Sequence, residues 1–219
     1  MPMPVTQDVA SAKPNILVQA AARNLKSLNR FLNVVFALAF FGCAQFLPSY
    51  TDGHWVHLPH GLLSLLASSP MNITRVVFGL VMIAYFWLRK STLFSLVEAS
   101  NGVFATLVVA SMAFILLFLY VLAADPTCIG GPPTLLLQSV SFLAASLLGY
   151  FAARYAIHAG LTPPSLRPTA ERMVRIDLCN PLTEVVATAL SWSGVTIWTL
   201  SWFVFWPLFG WLLARGRPA

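Results

Sequence analysis

Long apolar runs separated by short polar connections make up most of the chain. A helix that crosses the hydrocarbon of a bilayer needs about 20 mostly apolar residues, or about 17 at the short end. Four runs meet this requirement, and we expect each to form one transmembrane helix. They are residues 31–47, 71–88, 102–124 and 134–153.

The last apolar stretch is too long for one span. It runs from Leu182 to Ala214 with Glu184 as its only charged residue, and a single helix of this length would extend for about 50 Å. Two shorter helices, at 182–194 and 197–213 with a turn near Ser193 and Gly194, fit the bilayer better.

Basic residues occur in every second connection. The connections 48–70 and 125–133 contain no Lys or Arg, whereas the connections after the second and fourth spans and both ends of the chain do. By the positive-inside rule, the N-terminus is cytoplasmic, and the basic C-terminus joins it only if the number of spans is even. We therefore expect six spans. Arg75, near the outer end of the second span, is the one basic residue that this topology does not place on the cytoplasmic side. The basic residues are Lys13, Arg23, Lys26 and Arg30; Arg89 and Lys90; Arg154, Arg167, Arg172 and Arg175; and Arg215 and Arg217.

Composition agrees with this organisation. Of the 219 residues, 58% are hydrophobic and 9% charged, and the mean hydropathy is +0.77, so too little polar surface exists to cover a water-soluble globule. The sequence predicts an all-α integral membrane six-helix bundle in the lipid bilayer, most simply that of the plasma membrane. Residues 1–27 form a cytoplasmic N-terminal segment, 28–214 the six-span domain and 215–219 a cytoplasmic tail.

The sequence does not favour an enzyme, a cofactor or a nucleic-acid partner. The net charge of +6 is spread between apolar runs rather than gathered in a basic block, and its simplest role is to orient the chain in the bilayer. No common catalytic or phosphate-binding motif is present. Glu184 is expected in the first turn of the fifth span, where the positive end of the helix stabilises a carboxylate without catalysis.

Histidines cluster in the connection between the first two spans. His54, His57 and His60 recur every three residues, a pattern that suggests a weak zinc or pH-sensing site. Pro59 interrupts a helix through the cluster, and Trp55 among them is typical of a membrane-interface belt. The interfacial interpretation is preferred, and no metal site is predicted.

Two stripes of residues recur at intervals of four. Ser141, Ala145, Gly149 and Ala153 place small residues along one face of the fourth span, which favours close packing inside the bundle over a contact between subunits. Trp198, Trp202 and Trp206 form an aromatic stripe that we expect to face lipid or another helix rather than a cofactor.

The first span has one continuous face of interest. Val34, Leu38, Phe41 and Gln45 share this face, which is apolar at its centre and polar toward its outer end, whereas Asn33 lies off it. Around a symmetry axis, such faces would form a narrow apolar constriction that gates by dewetting. From the pattern alone, packing within the bundle is the preferred alternative.

Two short groups of residues carry a family resemblance. Phe31, Leu32 and Asn33 open the first span and are followed by the apolar run 35–39, and Trp87, Lys90 and Phe94 lie around the end of the second span. Both groups resemble signatures of the transmembrane protein 175 family of lysosomal and bacterial potassium-leak channels. These signatures are Arg-x-x-x-Phe-Ser-Asp followed by an apolar run, and Trp-x-x-His with a Phe four residues later. The aromatic positions and the run match, whereas Leu32, Asn33 and Lys90 stand at the Ser, Asp and His positions.

The resemblance implies a specific function. Bacterial six-span members are tetramers whose first helix lines the pore, and an apolar residue five positions after the motif Asp forms the constriction and selects potassium. That position is Leu38 here. The sequence thus predicts a homo-oligomeric leak channel for potassium ions. The alternative is a non-conducting scaffold or binding subunit that keeps the fold but lacks the motif's Ser, Asp and His; a small-molecule transporter is a weaker third option.

Overall fold

The computed structural model describes residues 9–44, 70–124 and 131–215, and this part of the chain consists of helices and short connections without strands. The expected all-α class is therefore confirmed for the described residues. A short 3₁₀ turn, Ser191–Ser193, separates the last two helices. The helices are α1 Val9–Ala44, α2 Pro70–Ser95, α3 Gly102–Ala124, α4 Pro132–His158, α5 Arg167–Asp177, α6 Cys179–Leu190 and α7 Val195–Arg215.

Within the described part of the chain, three helices are long and apolar enough to cross a membrane. They cover Gly102–Leu122, Pro132–His158 and Thr196–Arg215, and they identify a membrane-embedded protein. The predicted third and fourth spans lie within α3 and α4, and the second, 71–88, lies within α2. The first, 31–47, begins in α1, and its last three residues lie outside the described part of the chain.

The helix between Leu182 and Ala214 is interrupted where a turn was expected. Helix α6 ends at Leu190, and α7 begins at Val195 after the 3₁₀ turn. Gly194 joins them with a φ of +99°, a conformation that side chains with a Cβ rarely adopt. Helix α6 has 12 residues and is therefore about 18 Å long, shorter than the hydrocarbon core. It packs along α7 as the short arm of a hairpin.

Local signals define where the central helices begin and end. The side chain of Asn101 accepts a hydrogen bond of 3.0 Å from the backbone N–H of Phe104, and this N-cap starts α3. Gly160, with φ +68°, terminates α4 through a hydrogen bond from Leu161 N to Ala156 O. The Asn101 amide also donates to Tyr155 Oη at 2.9 Å, so the start of α3 is fixed against the end of α4.

The core is centred on a fully buried aromatic residue of α4. The ring of Phe142 meets Phe86 of α2, Phe118 of α3 and Trp202 of α7 edge-on, with centroids 4.9, 5.2 and 4.6 Å away respectively. Edge-to-face contacts of this kind are the preferred geometry of aromatic pairs. Four helices therefore meet at Phe142.

The stripe of small residues on α4 faces the inside of the protein. Ser141, Ala145 and Ala153 are buried, and α3 packs closely against this side of α4, so the expected internal packing is confirmed.

Two members of the aromatic stripe on α7 are also buried. Trp198 donates a hydrogen bond to Ser139 Oγ at 2.6 Å, and the ring of Trp202 meets Phe142. These two tryptophans pack α7 against α4, which is one of the two arrangements expected. Trp206 is 41% exposed and does not take part in this packing.

Helix α1 packs against α2 and α3 along one side. Leu32 and Phe36 are buried there and belong to the main hydrophobic core. Because successive residues of a helix are about 100° apart, residues two positions away from Leu32 and Phe36 point in nearly the opposite direction. This packing fixes the rotation of α1 about its own axis.

Two connections and helix α1 meet at one end of the bundle. Ser100 N donates to Ala21 O of α1 at 3.2 Å, and Glu98 N donates to Leu161 O in the connection after α4 at 3.0 Å. Arg89 of α2 forms a salt bridge with Asp177 of α5 at this end. Segments that carry basic residues are thereby held together on one side of the protein.

Candidate functional site

The predicted face of the first span is exposed in the structure. The exposed fractions of Val34, Leu38 and Phe41 are 58%, 66% and 68%, and Phe31, which precedes Val34 by three residues, is also exposed. The fourth predicted member, Gln45, lies outside the described residues. The preferred expectation that this face packs within the bundle is therefore wrong within one chain. Among the described residues, none covers Val34, Leu38 or Phe41.

Two of the family-motif positions contact each other directly. Trp87 Nε1 of α2 donates a hydrogen bond to Asn33 Oδ1 of α1 at 3.0 Å. Asn33 lies off the exposed apolar face, as expected, and Leu32 beside it is buried. A polar side chain of α1 is thus used to hold that helix against α2.

Lys90 lies inside the bundle rather than in a connection. The sequence placed it between two spans, but α2 continues to Ser95, and Lys90 is buried on the same side of that helix as Phe86 and Leu93. The Lys90 ammonium donates to Ser111 Oγ at 3.1 Å, and the Ser111 hydroxyl donates to Ala145 O at 2.8 Å. This buried chain of hydrogen bonds joins α2, α3 and α4.

A cavity of about 40 Å³ surrounds the Lys90 ammonium. Gly149 of α4 provides the space, because a Cβ at this position would lie 3.6 Å from Lys90 Nζ and 3.5 Å from Ser111 Oγ. Ser146 also lines the cavity, and its buried hydroxyl has no hydrogen-bond partner among the described residues. Residues of α2, α3, α4 and α5 and the start of α6 form the wall. They are Tyr85, Phe86, Arg89, Lys90, Leu93, Ser111, Ala145, Ser146, Gly149, Tyr150, Ala153, Met173, Asp177 and Asn180.

The charges around this cavity do not cancel. Arg89 and Asp177 pair with each other, whereas Lys90 has only the neutral Ser111 as its hydrogen-bond acceptor among the described residues. With its ammonium protonated, Lys90 gives the lining one net positive charge.

A second polar cluster closes the side of the cavity. Asn180 Oδ1, at the start of α6, accepts hydrogen bonds from Tyr85 Oη at 2.7 Å and from Trp206 Nε1 at 2.9 Å. The rings of Tyr85 and Trp206 also meet edge-on, with centroids 5.7 Å apart. Helices α2, α6 and α7 are thus joined through a single amide oxygen.

Glu184 is in a different place from the one expected. Helix α6 begins at Cys179, so Glu184 lies in its second turn rather than at the helix end, and it is fully buried. Neither carboxylate oxygen has a hydrogen-bond partner among the described residues. Gln138 of α4 is likewise buried with both amide atoms unpartnered within the described part. Polar groups are therefore more common inside the bundle than the sequence indicated.

No metal site emerges from the described residues, among which no cluster of three or more His, Cys, Asp or Glu side chains occurs. The weak candidates His54, His57 and His60 lie outside these residues. The prediction concerning them is therefore neither supported nor opposed by the structure.

Comparison with protein families, with curated proteins and with solved structures finds no match to this chain. The function must therefore be argued from its own residues. Two features are available: the exposed face of α1, formed by Phe31, Val34, Leu38 and Phe41, and the polar cavity around Lys90.

Proposed function

We propose that several copies of this chain assemble into a channel that passes monovalent cations, potassium above all, through a pore lined by α1. The observation that carries this proposal is the orientation of α1, whose exposed face is turned away from the buried residues Leu32 and Phe36. One chain encloses no pore with this face, so the pore requires a symmetric assembly. By resemblance to the transmembrane protein 175 family, the assembly is a tetramer.

Leu38 is the expected constriction of this pore. It lies at the middle of the exposed face, between Val34 and Phe41, and its exposed fraction leaves it free to meet its counterparts in other copies. A ring of leucines excludes water from a narrow pore, so ions pass only when they shed part of their hydration. Selection then comes from pore width and the cost of dehydration, and potassium is less costly to dehydrate than sodium.

The topology proposed for this channel has six spans and both termini in the cytoplasm. The joining of Ala21, Ser100, Leu161 and the Arg89–Asp177 pair at one end supports it, because positively charged segments stay on the cytoplasmic side. The short helix α6 with its 3₁₀ turn is the fifth span and α7 is the sixth. The plasma membrane is the proposed location.

Ion flux from liposomes tests the proposal. The purified protein is reconstituted with potassium or sodium inside, and the parent is compared with Leu38→Ala and Leu38→Asn. We expect the parent to pass potassium faster than sodium. We expect Leu38→Ala to raise the rate and Leu38→Asn to reduce the preference for potassium, because each makes the constriction wider or more polar.

Leu200→Asn is the matched control. Leu200 of α7 is a comparably exposed leucine, 55%, on a helix that does not line the proposed pore. Its substitution should leave flux and selectivity unchanged. If substitutions at Leu38 and at Leu200 change ion flux and selectivity equally, the assignment of the pore to α1 is overturned. If the parent forms an intact oligomer but passes no ions, the alternative is favoured, which is a non-conducting scaffold or binding subunit.

A further inference from the structure

The cavity around Lys90 is a polar site that the proposed channel does not use. It lies among α2, α3, α4 and α5, whereas the proposed pore face is on the outward side of α1. A buried ammonium whose charge has no counterpart is costly, and proteins normally pair such a charge or neutralise it. Among the described residues, the Lys90 ammonium has neither an acidic partner nor more than one hydrogen-bond acceptor.

We propose that this cavity binds a small monovalent anion of the chloride class, held by the Lys90 ammonium and the Ser146 hydroxyl. Lys90 has donors left over after its bond to Ser111, and the Ser146 hydroxyl is buried without an acceptor. An anion between them accepts hydrogen bonds from both groups and neutralises the net charge of the lining.

The size and charge of the cavity select the anion. A water molecule needs about 10–15 Å³ of such space, so 40 Å³ holds one small anion with one or two waters. The lining carries two cationic groups, Arg89 and Lys90, and one anionic group, Asp177, so a single negative charge balances it. A divalent phosphate or sulfate leaves an excess negative charge in the buried cavity.

Arg89 and Asp177 also line the cavity, and their side chains are 28% and 14% exposed. We expect an anion to enter beside this pair, whose mutual pairing leaves Lys90 as the cationic group that binds it. The other titratable groups of the lining, Tyr85 and Tyr150, are already engaged. Tyr85 donates to Asn180, and Tyr150 Oη accepts a hydrogen bond of 3.0 Å from Arg154.

Binding of radioactive chloride to the full-length protein in detergent tests the proposal. The sodium concentration and ionic strength are held constant by replacing chloride with gluconate, which is too large for the cavity. We expect saturable binding of one chloride per chain and a matching rise of the unfolding temperature with chloride. Loss of the charged donor in Lys90→Met should weaken binding about tenfold or more, and Ser146→Ala should weaken it about threefold.

Two exposed residues provide matched controls. Lys26→Met removes an exposed positive charge from α1, and Ser193→Ala removes an exposed hydroxyl from the turn before α7; both should bind chloride like the parent. The absence of saturable binding to the parent would mean that water alone fills the cavity and would overturn the proposal. Unchanged binding in a folded Ser146→Ala or Lys90→Met protein would also overturn it. Neither result bears on potassium flux, which is measured separately.

Discussion

Asn33 of α1 and Trp87 of α2 are 54 positions apart in the sequence and share a hydrogen bond of 3.0 Å, with the indole as the donor. The bond lies beside the buried residues Leu32 and Phe36, which hold α1 by apolar contacts. Polar and apolar contacts together therefore set the direction in which Leu38 points.

A double-mutant cycle measures this bond. Asn33→Ala removes the acceptor and Trp87→Phe removes the donor while keeping an aromatic ring. Each should lower the free energy of unfolding, and the coupling between them should be about 0.5–1 kcal/mol, the usual value for hydrogen bonds between helices in membranes. Unfolding by sodium dodecyl sulfate in mixed micelles gives these values. If the losses of unfolding free energy in the two single variants simply add up in the double variant, the bond does not form in the membrane.

Replacement of Phe142 tests the centre of the core. Phe142→Ala removes a buried ring that contacts three other aromatic rings, and it should lower the free energy of unfolding by about 3 kcal/mol or more. Phe151→Ala is the control on the same helix, because Phe151 is exposed and should contribute less than about 1 kcal/mol. If Phe142→Ala and Phe151→Ala lower the free energy of unfolding equally in the same assay, the core is not centred on Phe142.

The buried ammonium of Lys90 predicts that its removal stabilises the protein. Lys90 is 6% exposed, and its hydrogen-bond acceptor among the described residues is the neutral Ser111. Burial of a charge without a counterpart costs free energy. Lys90→Met should therefore be more stable than the parent at pH 7, by about 1–4 kcal/mol in gluconate buffer.

The measurement is the difference in unfolding free energy between the parent and Lys90→Met at pH 7. Lys26→Met, which removes an exposed charge from α1, is the control and should change the free energy of unfolding by less than about 0.5 kcal/mol. Equal stability of the parent and Lys90→Met would contradict the cost assigned to the buried charge.

Cross-linking tests whether Leu38 meets its counterpart in another copy. In a background with Cys43, Cys128 and Cys179 replaced by alanine, Leu38→Cys should form covalent dimers under mild oxidation in the membrane. Leu200→Cys, at a comparably exposed position on α7, should remain monomeric. If Leu200→Cys forms dimers and Leu38→Cys does not, the contact between copies lies at α7 rather than at α1.

The helical architecture could be predicted because it follows from hydropathy and local chemistry. The runs that form α3 and α4 are long and apolar, and the pair Ser193–Gly194 interrupts the last one where a positive φ occurs. The small residues of α4 were expected to pack internally because their spacing matches one helix face. Each of these features depends on residues close together in the sequence.

The start of α6 and the burial of Lys90 were missed for identifiable reasons. Pro181 belongs to the first turn of α6, where proline is tolerated, whereas the expected helix began one residue later, at Leu182. The positive charge of Lys90 was taken as the end of a span, although Phe86, Lys90 and Leu93 continue one helical face. Both signals were present in the sequence.

The contacts between distant residues could not be predicted from one sequence. Nothing in the spacing pairs Asn33 with Trp87, or assigns Asn180 as the shared acceptor of Tyr85 and Trp206. For a single polar residue in an apolar helix, many other residues of the chain have the chemistry to form a hydrogen bond. The fold alone decides which of them comes within hydrogen-bonding distance.

Helix α1 continues without interruption from the residue that binds the α2–α3 connection to the residue proposed as the constriction. Ala21, which accepts the hydrogen bond from Ser100, and Leu38 are separated by about 25 Å of one helix. A helix of this length behaves as a stiff rod, so a tilt or twist applied at Ala21 arrives at Leu38 nearly undiminished. In the proposed channel, a movement of the α2–α3 connection would therefore displace Leu38 through α1 alone.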